Sequence, residues 1–339
     1  MHYVSKTIAS RLSNGLSRGV NIVPGMSSFF LKQLRRYAVS HTLTKNKMQR
    51  LAFGVRLIIR SRGREIISTP SGLLFNAFDQ SQYVNQILLL KGPEQDYCWE
   101  PNGSKLLTDL INKDDRVVVA GANIGFEAVL IGDCVRNGKG LCYAFEPISV
   151  NFRILMENIH LNNLEKKIKP LNLALSDLDT TTNMMAAGPN SSLLFLDSGT
   201  AQEKVTVRSL DSLFREGLID PISAMIADVE GFELEMIFGA RQLIKESPVR
   251  FIMFEVNGKT EEICPGKTTH LFTHLANSGF EFYAIPDDYR GYQKPNNEIR
   301  KLIRIHDLHS PFVIPDRWFN VLAIKPEILP ELLKFVTVK

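Results

Sequence analysis

From residue 117 onward, short apolar runs alternate with stretches whose apolar residues recur at helical spacing. The run VVVA at 117–120 is β-branched, uninterrupted and short, which predicts a strand buried on both faces of a parallel sheet. GANIG breaks that run, and FEAVLI after it predicts the first turns of a helix. GLCYAFEP at 140–147 predicts a second strand ending in an acid and a proline; VNFRILMENIHLN at 150–162 predicts a helix that stops at Asn162 and Asn163. KIKPLNLALSD at 167–177 predicts a third strand, and the Thr-, Asn-, Ser- and Gly-rich residues 178–204 a loop or short hairpin. Next come a helix in VRSLDSLFREG, a fourth strand in ISAMIADVEG, a helix in FELEMIFGARQLIKE and a fifth strand in VRFIMFEVN. HLFTHLANSG predicts a helix stopping at Gly279, FEFYAI at 280–285 a sixth strand, and WFNVLAIKP at 318–326 a seventh.

Upstream, REIISTPSGLLFNA reads as a short hairpin turning at Thr69, Pro70, Ser71 and Gly72, and GSKLLTDLINKDD as a lead-in helix. Seven strands with intervening helices predict an α/β fold with a doubly wound sheet, in which ligands sit beyond the carboxyl ends of the strands at the point where strand order reverses. The strand ends hold Gly121 to Gly125, Glu146, Ala174 to Asp177, Asp228 with Glu230, and Glu255 with Asn257. The expected organisation is an N-terminal extension over 1–64, one domain over 65–325 and a tail over 326–339.

Composition adds an uneven charge. The net charge is +4, but thirteen of the 40 basic residues precede the first acid, Glu65, leaving 27 against 36 in the remainder. Three readings of the basic segment stay open: a helical extension packed on the domain, a basic amphipathic region touching an anionic membrane face or polyanion, and an organellar transit peptide. No apolar run approaches the roughly 20 residues that span a bilayer. The 44% hydrophobic and 22% charged residues are those of an ordinary soluble protein, so a cytoplasmic location is expected, with peripheral membrane contact as an alternative. Cys98, Cys134, Cys142 and Cys264 form no C-x-x-C pair and read as free thiols of a reducing compartment.

A glycine turn between a buried strand and a helix lets a ligand approach the backbone, and helix-start amides favour a polar or anionic group. GANIG lacks the third glycine of the dinucleotide fingerprint, which argues against a nicotinamide enzyme. Glu146 follows that turn by about 20 residues, where a carboxylate accepts both hydroxyl hydrogens of a ribose. His270 and His274 are four apart on one helix, a spacing that more often marks two helix histidines than a metal site. Asp228, Glu255 and Asn257 are oxygen donors suited to a divalent cation, a cofactor that is not favoured here. Tyr289 and Tyr292 lie in a polar loop that either stacks on a sugar or anionic glycan or is a solvated connection.

GANIGF, AFEP, NFRILMENIHLN, LALSD, VRSLDSL and ADVEGFELEMIFGA occur in an order and spacing that resembles the FkbM-type S-adenosylmethionine-dependent methyltransferases over about 115–257. The resemblance implies a class I methyltransferase fold, S-adenosylmethionine as cofactor, and O-methylation of a hydroxyl on a saccharide or secondary metabolite. Carried over by position, Gly121, Ala122, Asn123 and Gly125 approach the methionine part, Glu146 holds the ribose, and Ala174 to Asp177 line the adenine pocket. Asp228 then stands near the cofactor's amino group or the acceptor, with Asp228 or Glu255 as proton acceptor and Glu230, Asn257, Tyr289 and Tyr292 toward the substrate. Two positions depart from the family pattern: Val119 stands where an acid is common, and Ile226 where a lysine is common. Those departures keep open a weak or inactive binding protein with this fold. The basic segment keeps open a nucleic-acid methyltransferase, although D-V-E-G replaces the N-P-P-Y type of tetrapeptide.

Overall fold

The computed structural model describes residues 66–69, 71–76, 100–185, 202–286, 300–312, 318–334 and 336–338. The chain divides into two units, Met1–Arg62 and Gly63–Lys339, and every described residue belongs to the second. The basic segment, Cys98, Tyr289 and Tyr292 lie outside the described residues.

Strands β1 (Ile66–Ser68) and β2 (Leu74–Asn76) form an antiparallel hairpin. Its turn is held by Thr69, whose hydroxyl accepts from the Leu73 N–H at 3.0 Å. Helix α1 (Pro101–Leu110) follows, and then the central sheet begins with β3 (Arg116–Ala120), helix α2 (Phe126–Cys134), β4 (Leu141–Phe145), helix α3 (Ser149–Leu161) and β5 (Ile168–Leu171). β3 is buried from Val117 to Ala120, as its unbroken apolar run requires of a strand covered on both faces. The chain then returns to the other side of β3 with β9 (Ala224–Ala227), helices α5 (Glu233–Phe238) and α6 (Arg241–Glu246), and β10 (Phe251–Asn257). Strand order therefore reverses between β3 and β9, and their carboxyl ends carry Gly121 and Asp228.

The sheet is larger and more mixed than the apolar pattern predicts. Among the described residues it has nine strands rather than seven, because β12 (Arg300–Ile305) and β14 (Val336–Val338) extend the edge beyond β11 (Glu281–Ile285). β13 (Trp318–Ile324) inserts antiparallel between β10 and β11. Residues 326–338, read from sequence as a tail, fold back through helix α9 (Leu329–Leu332) into β14, which pairs parallel with β12. β12 is missed because it alternates charge and aliphatic residues without the β-branched density of the inner strands; β14 is three residues long.

The predicted third strand also splits. Only Ile168–Leu171 joins the large sheet, whereas β6 (Ala174–Leu175) pairs with β8 (Gln202–Arg208) in a separate three-stranded sheet completed by β7 (Thr180–Met185). This small sheet has its own apolar cluster of Ile148, Ala174, Met184, Val205 and Val207. Helix α4 (Leu210–Arg215) leaves β8 capped by Ser209, whose hydroxyl accepts from the Ser212 N–H. Helices α7 (Gly258–Ile263) and α8 (Lys267–Asn277) connect β10 to β11.

One side chain couples the hairpin to the glycine turn. Asn158 of α3 is fully buried; its amide donates to the Ile124 carbonyl at 2.7 Å and its oxygen accepts from the Asn76 N–H at 2.7 Å. Both halves of the amide are satisfied, so burying it costs little and fixes the turn against α3.

Candidate functional site

The reversal point opens as a cleft with about 630 Å³ of empty space. Its floor is made by the turn after β3. Gly121 has φ 77°, and an added Cβ would lie 1.7 Å from the carbonyl oxygen of Asp228, so only glycine fits between the ends of β3 and β9. Gly125 has φ 94°, and a Cβ there would lie 2.5 Å from Leu155 Cδ1 of α3. The two glycines thus serve different contacts: the first brings two strand ends together, and the second seats helix α2 against α3.

The turn is anchored to β4. The N–H groups of Gly121 and Ala122 both donate to the Phe145 carbonyl, at 3.0 and 2.8 Å. Glu146 follows immediately and is buried. One carboxylate oxygen accepts from the Asn123 N–H at 2.8 Å, and the other from the Ile148 N–H at 2.9 Å and the Asn151 amide at 3.3 Å. Burial raises its carboxyl to about 7 against the pull of those donors. Asn123 has φ 50°, and its buried side-chain oxygen has no hydrogen-bond partner among the described residues. An acceptor left unsatisfied at a cleft wall is suited to a donor that arrives with a ligand.

Opposite, the D-V-E-G turn is held by Glu233 at the start of α5, which the sequence reading missed. Its Oε1 accepts from the N–H groups of Val229 and Gly231 at 3.1 and 3.2 Å. Glu230 and Gly231 take left-handed conformations, with φ 52° and 98°. The signal available in sequence was the acid three residues after Glu230, at a helix start, where a carboxylate closes free amides. Glu233 is buried and its carboxyl is raised to about 7 by desolvation.

Of the residues singled out from sequence, Gly121, Asn123, Glu146, Ala174, Asp228 and Glu230 stand on the wall of this cleft. Ala122 and Gly125 are buried behind it, and Asp177 is turned to solvent beside Ser176. Phe145, Leu173, Leu175 and Met184 add an apolar wall, and Met184 arrives from β7, inside the segment read as a loop or hairpin. Glu255 lies in β10 opposite Asn320 of β13, and neither it nor the buried Asn257 lines the cleft. Desolvation, with Asp228, Glu230, Glu233 and Glu100 as neighbouring charges, pushes the Glu255 carboxyl well above the usual range. His270 is exposed, while His274 packs edge-on against Phe238, with ring centroids 4.9 Å apart and its pKa lowered by burial and Arg241. Among the described residues no group of three or more metal-ligating side chains is assembled, and no helix is long and apolar enough to cross a membrane.

A second pocket, with room for about one water, shares Gly121 and Asp228 with the first. It explains where the two departures from the family pattern fall. Val119 and Ile226 are direct partners in the parallel register of β3 and β9, and both line this cavity. An acid and a lysine at these two positions are neighbours of opposite sign, so their joint replacement by two aliphatics leaves the local net charge unchanged. Asp228 lines both pockets and is exposed there, and desolvation by the surrounding protein raises its carboxyl to about 6.

Residues 120–282 match the methyltransferase FkbM domain. Comparison with curated proteins gives no match. Among solved structures, an FkbM methyltransferase from Methylobacillus flagellatus KT is 16% identical, with 63% of this chain and 44% of that chain covered at a TM-score of 0.40. This chain thus spans less than half the length of that protein. An S-adenosylmethionine-dependent O-methyltransferase from Thermotoga maritima is 13% identical over 78% of this chain and 79% of that one, with a TM-score of 0.41. A putative rRNA methylase from Clostridium thermocellum is 10% identical over 66% and 95%, with a TM-score of 0.38. The match places a methyltransferase FkbM domain at residues 120–282 of this chain.

Proposed function

We propose that the protein transfers the methyl group of S-adenosylmethionine to a hydroxyl of a saccharide or secondary-metabolite acceptor. The observation that carries this reading is Asp228, a carboxylate with raised pKa that lines both pockets and accepts no side-chain hydrogen bond among the described residues. The larger cleft fits a nucleoside: Glu146 offers a buried carboxylate to ribose hydroxyls, Asn123 an unsatisfied oxygen, and Leu173, Ala174 and Met184 an apolar wall to a purine. The cofactor supplies a methyl group activated on a sulfonium.

The protein's own work is alignment and proton removal. Asp228 would accept the proton of the acceptor hydroxyl as that oxygen is methylated. A carboxylate near pKa 6 is too weak a base to ionise an alcohol beforehand, so proton loss accompanies bond formation. The apolar row around Val119 and Ile226 keeps water from competing as acceptor. The exchange of both charged positions for an apolar pair leaves Glu146, Asn123 and Asp228 in place, which favours an active enzyme over a binding protein.

The test is formation of S-adenosylhomocysteine from S-adenosylmethionine with a panel of glycosides and polyols, in the unmodified protein and in Asp228→Asn. We expect turnover with a hydroxyl acceptor and a kcat lower by about 10²- to 10⁴-fold in the variant, with cofactor affinity retained. Turnover undiminished in Asp228→Asn removes Asp228 from the reaction.

A further inference from the structure

Strand β5 is an edge of the large sheet and pairs with β4 up to Phe145 and Leu171. The Glu146 N–H continues that ladder by donating to the Leu171 carbonyl at 3.1 Å. In a parallel pair the next bond runs from the Leu173 N–H to the Glu146 carbonyl. Here the Leu173 N–H turns back to the Leu171 carbonyl at 3.0 Å instead, and the side chain of Asn172 takes its place. The Asn172 amide donates to the Glu146 carbonyl at 2.8 Å and to the Pro147 carbonyl at 2.9 Å. An asparagine at the end of a strand commonly closes a turn on its own backbone two or so residues away. This one reaches carbonyls 26 and 25 residues back.

Those carbonyls belong to successive peptide planes, and each plane bears on Glu146. The first joins Glu146 to Pro147. With the Glu146 N–H already bonded to Leu171, the planes on both sides of the Glu146 α-carbon are held, which fixes the direction in which its side chain leaves the strand. The second plane joins Pro147 to Ile148, and its N–H is the donor that reaches the Glu146 carboxylate at 2.9 Å. Because the plane is rigid, orienting its carbonyl orients that N–H as well. Asn172 is itself exposed and off the cleft wall, whereas Glu146 and Pro147, which it holds, stand on that wall. Water serves exposed carbonyls nearly as well as a side chain does, so the consequence of Asn172 is direction more than stability. A carboxylate that must meet two neighbouring hydroxyls is sensitive to direction.

Resting on the cofactor assignment above, we propose that Asn172 is the positioning residue for Glu146: by holding the two peptide planes after β4 it aims the carboxylate at the ribose hydroxyls of the cofactor, without touching the cofactor itself.

Calorimetric titration with 5′-methylthioadenosine and its 2′,3′-dideoxy analogue tests this, since the two probes differ only in the hydroxyls that Glu146 meets. In the unmodified protein the dideoxy probe is expected to bind about tenfold or more weakly. Asn172→Leu keeps the size of the side chain and removes its donors. In that variant 5′-methylthioadenosine is expected to weaken by about fivefold and the gap between the probes to shrink accordingly, while the dideoxy probe stays within about twofold. Retained binding of the dideoxy probe also reports that the variant is folded. In a Glu146→Ala background, Asn172→Leu is expected to change the affinity for 5′-methylthioadenosine by less than about twofold, because its effect passes through the carboxylate. A gap between the probes that Asn172→Leu leaves unchanged overturns the proposal. So does a cost of Asn172→Leu that is the same with and without the Glu146 carboxylate, or a variant that loses both probes alike. Equal affinity of the unmodified protein for the two probes instead overturns the ribose role of Glu146, and failure to bind either overturns the cofactor assignment; the proposal falls with each.

Discussion

Two carboxylates 82 residues apart, Glu146 and Asp228, end neighbouring regions of one sheet in opposite condition. Glu146 is wired: three nitrogen donors, from Asn123, Ile148 and Asn151, already reach its two oxygens before any ligand arrives. Asp228 is exposed on the cleft wall and accepts no side-chain hydrogen bond among the described residues, and desolvation by the surrounding protein is what raises its pKa. A pre-wired carboxylate holds one geometry and serves recognition. A bare one stores electrostatic strain that a proton or cation relieves, which suits a group that must change its charge during a cycle. The Glu146 side of the cleft is therefore built as structure, and the Asp228 side as reactivity.

The largest effect is expected where the two regions touch. Gly121→Ala forces a Cβ to 1.7 Å from the Asp228 carbonyl oxygen at a φ of 77°, and neither strand end has room to retreat because the Gly121 N–H is bonded to Phe145. Loss of about 3 kcal/mol or more of stability is expected in urea denaturation. Ala122→Gly, one residue on and without that contact, is the control for generic damage to the turn. A Gly121→Ala protein as stable as the unmodified one breaks the picture of two strand ends held in contact.

The glycines also mark how far sequence alone reached. Two glycines bounding a strand-to-helix turn, and an acid at the end of the next strand, were legible because each carries a local constraint: a left-handed φ or an abrupt end to an apolar run. The inner strands were legible for the same reason, since burial on both faces leaves an unbroken β-branched signature. Local pattern does not report what is decided across the sheet. That Val119 meets Ile226 depends on the register of two strands more than a hundred residues apart. Glu127 reads as an ordinary first-turn acid until the turn carries it to a cavity wall. β12 and β14 escaped because an edge strand needs neither an apolar run nor length once a neighbour supplies its hydrogen bonds. Asp177, carried to the adenine wall by the family resemblance, is turned to solvent after the strand breaks at Leu171.

An intermediate effect separates the wired from the bare carboxylate directly. Glu146→Ala strands the Asn123 and Ile148 N–H groups, and is expected to cost about 1–3 kcal/mol in urea denaturation. Asp228→Ala removes a carboxylate that accepts no side-chain hydrogen bond, so stability is expected to hold or rise slightly while activity is lost. The contrast is sharpened if Glu146→Gln, which keeps one acceptor oxygen, falls between unmodified and Glu146→Ala. Equal destabilisation by the two alanine variants would mean that Asp228 is as structural as Glu146.

The smallest effect, spread over several groups, is the response to pH. Glu127, Glu146 and Glu233 are raised from 4.5 to about 7, and Asp228 from 3.8 to about 6. Between these limits the folded protein keeps protons that the unfolded chain has released, so the folded state binds more protons and stability falls as pH rises. Glu165 and Asp179, with lowered pKa, act in the opposite sense, but both are exposed and screened. Urea midpoints measured without ligand are expected to be lower at pH 7.5 than at pH 5, and Glu127→Gln, which cannot ionise, is expected to narrow that gap. A midpoint that climbs over that range in the unliganded protein means that the carboxylates around Asp228 are solvated rather than held bare. In that case the difference between the two sides of the site disappears.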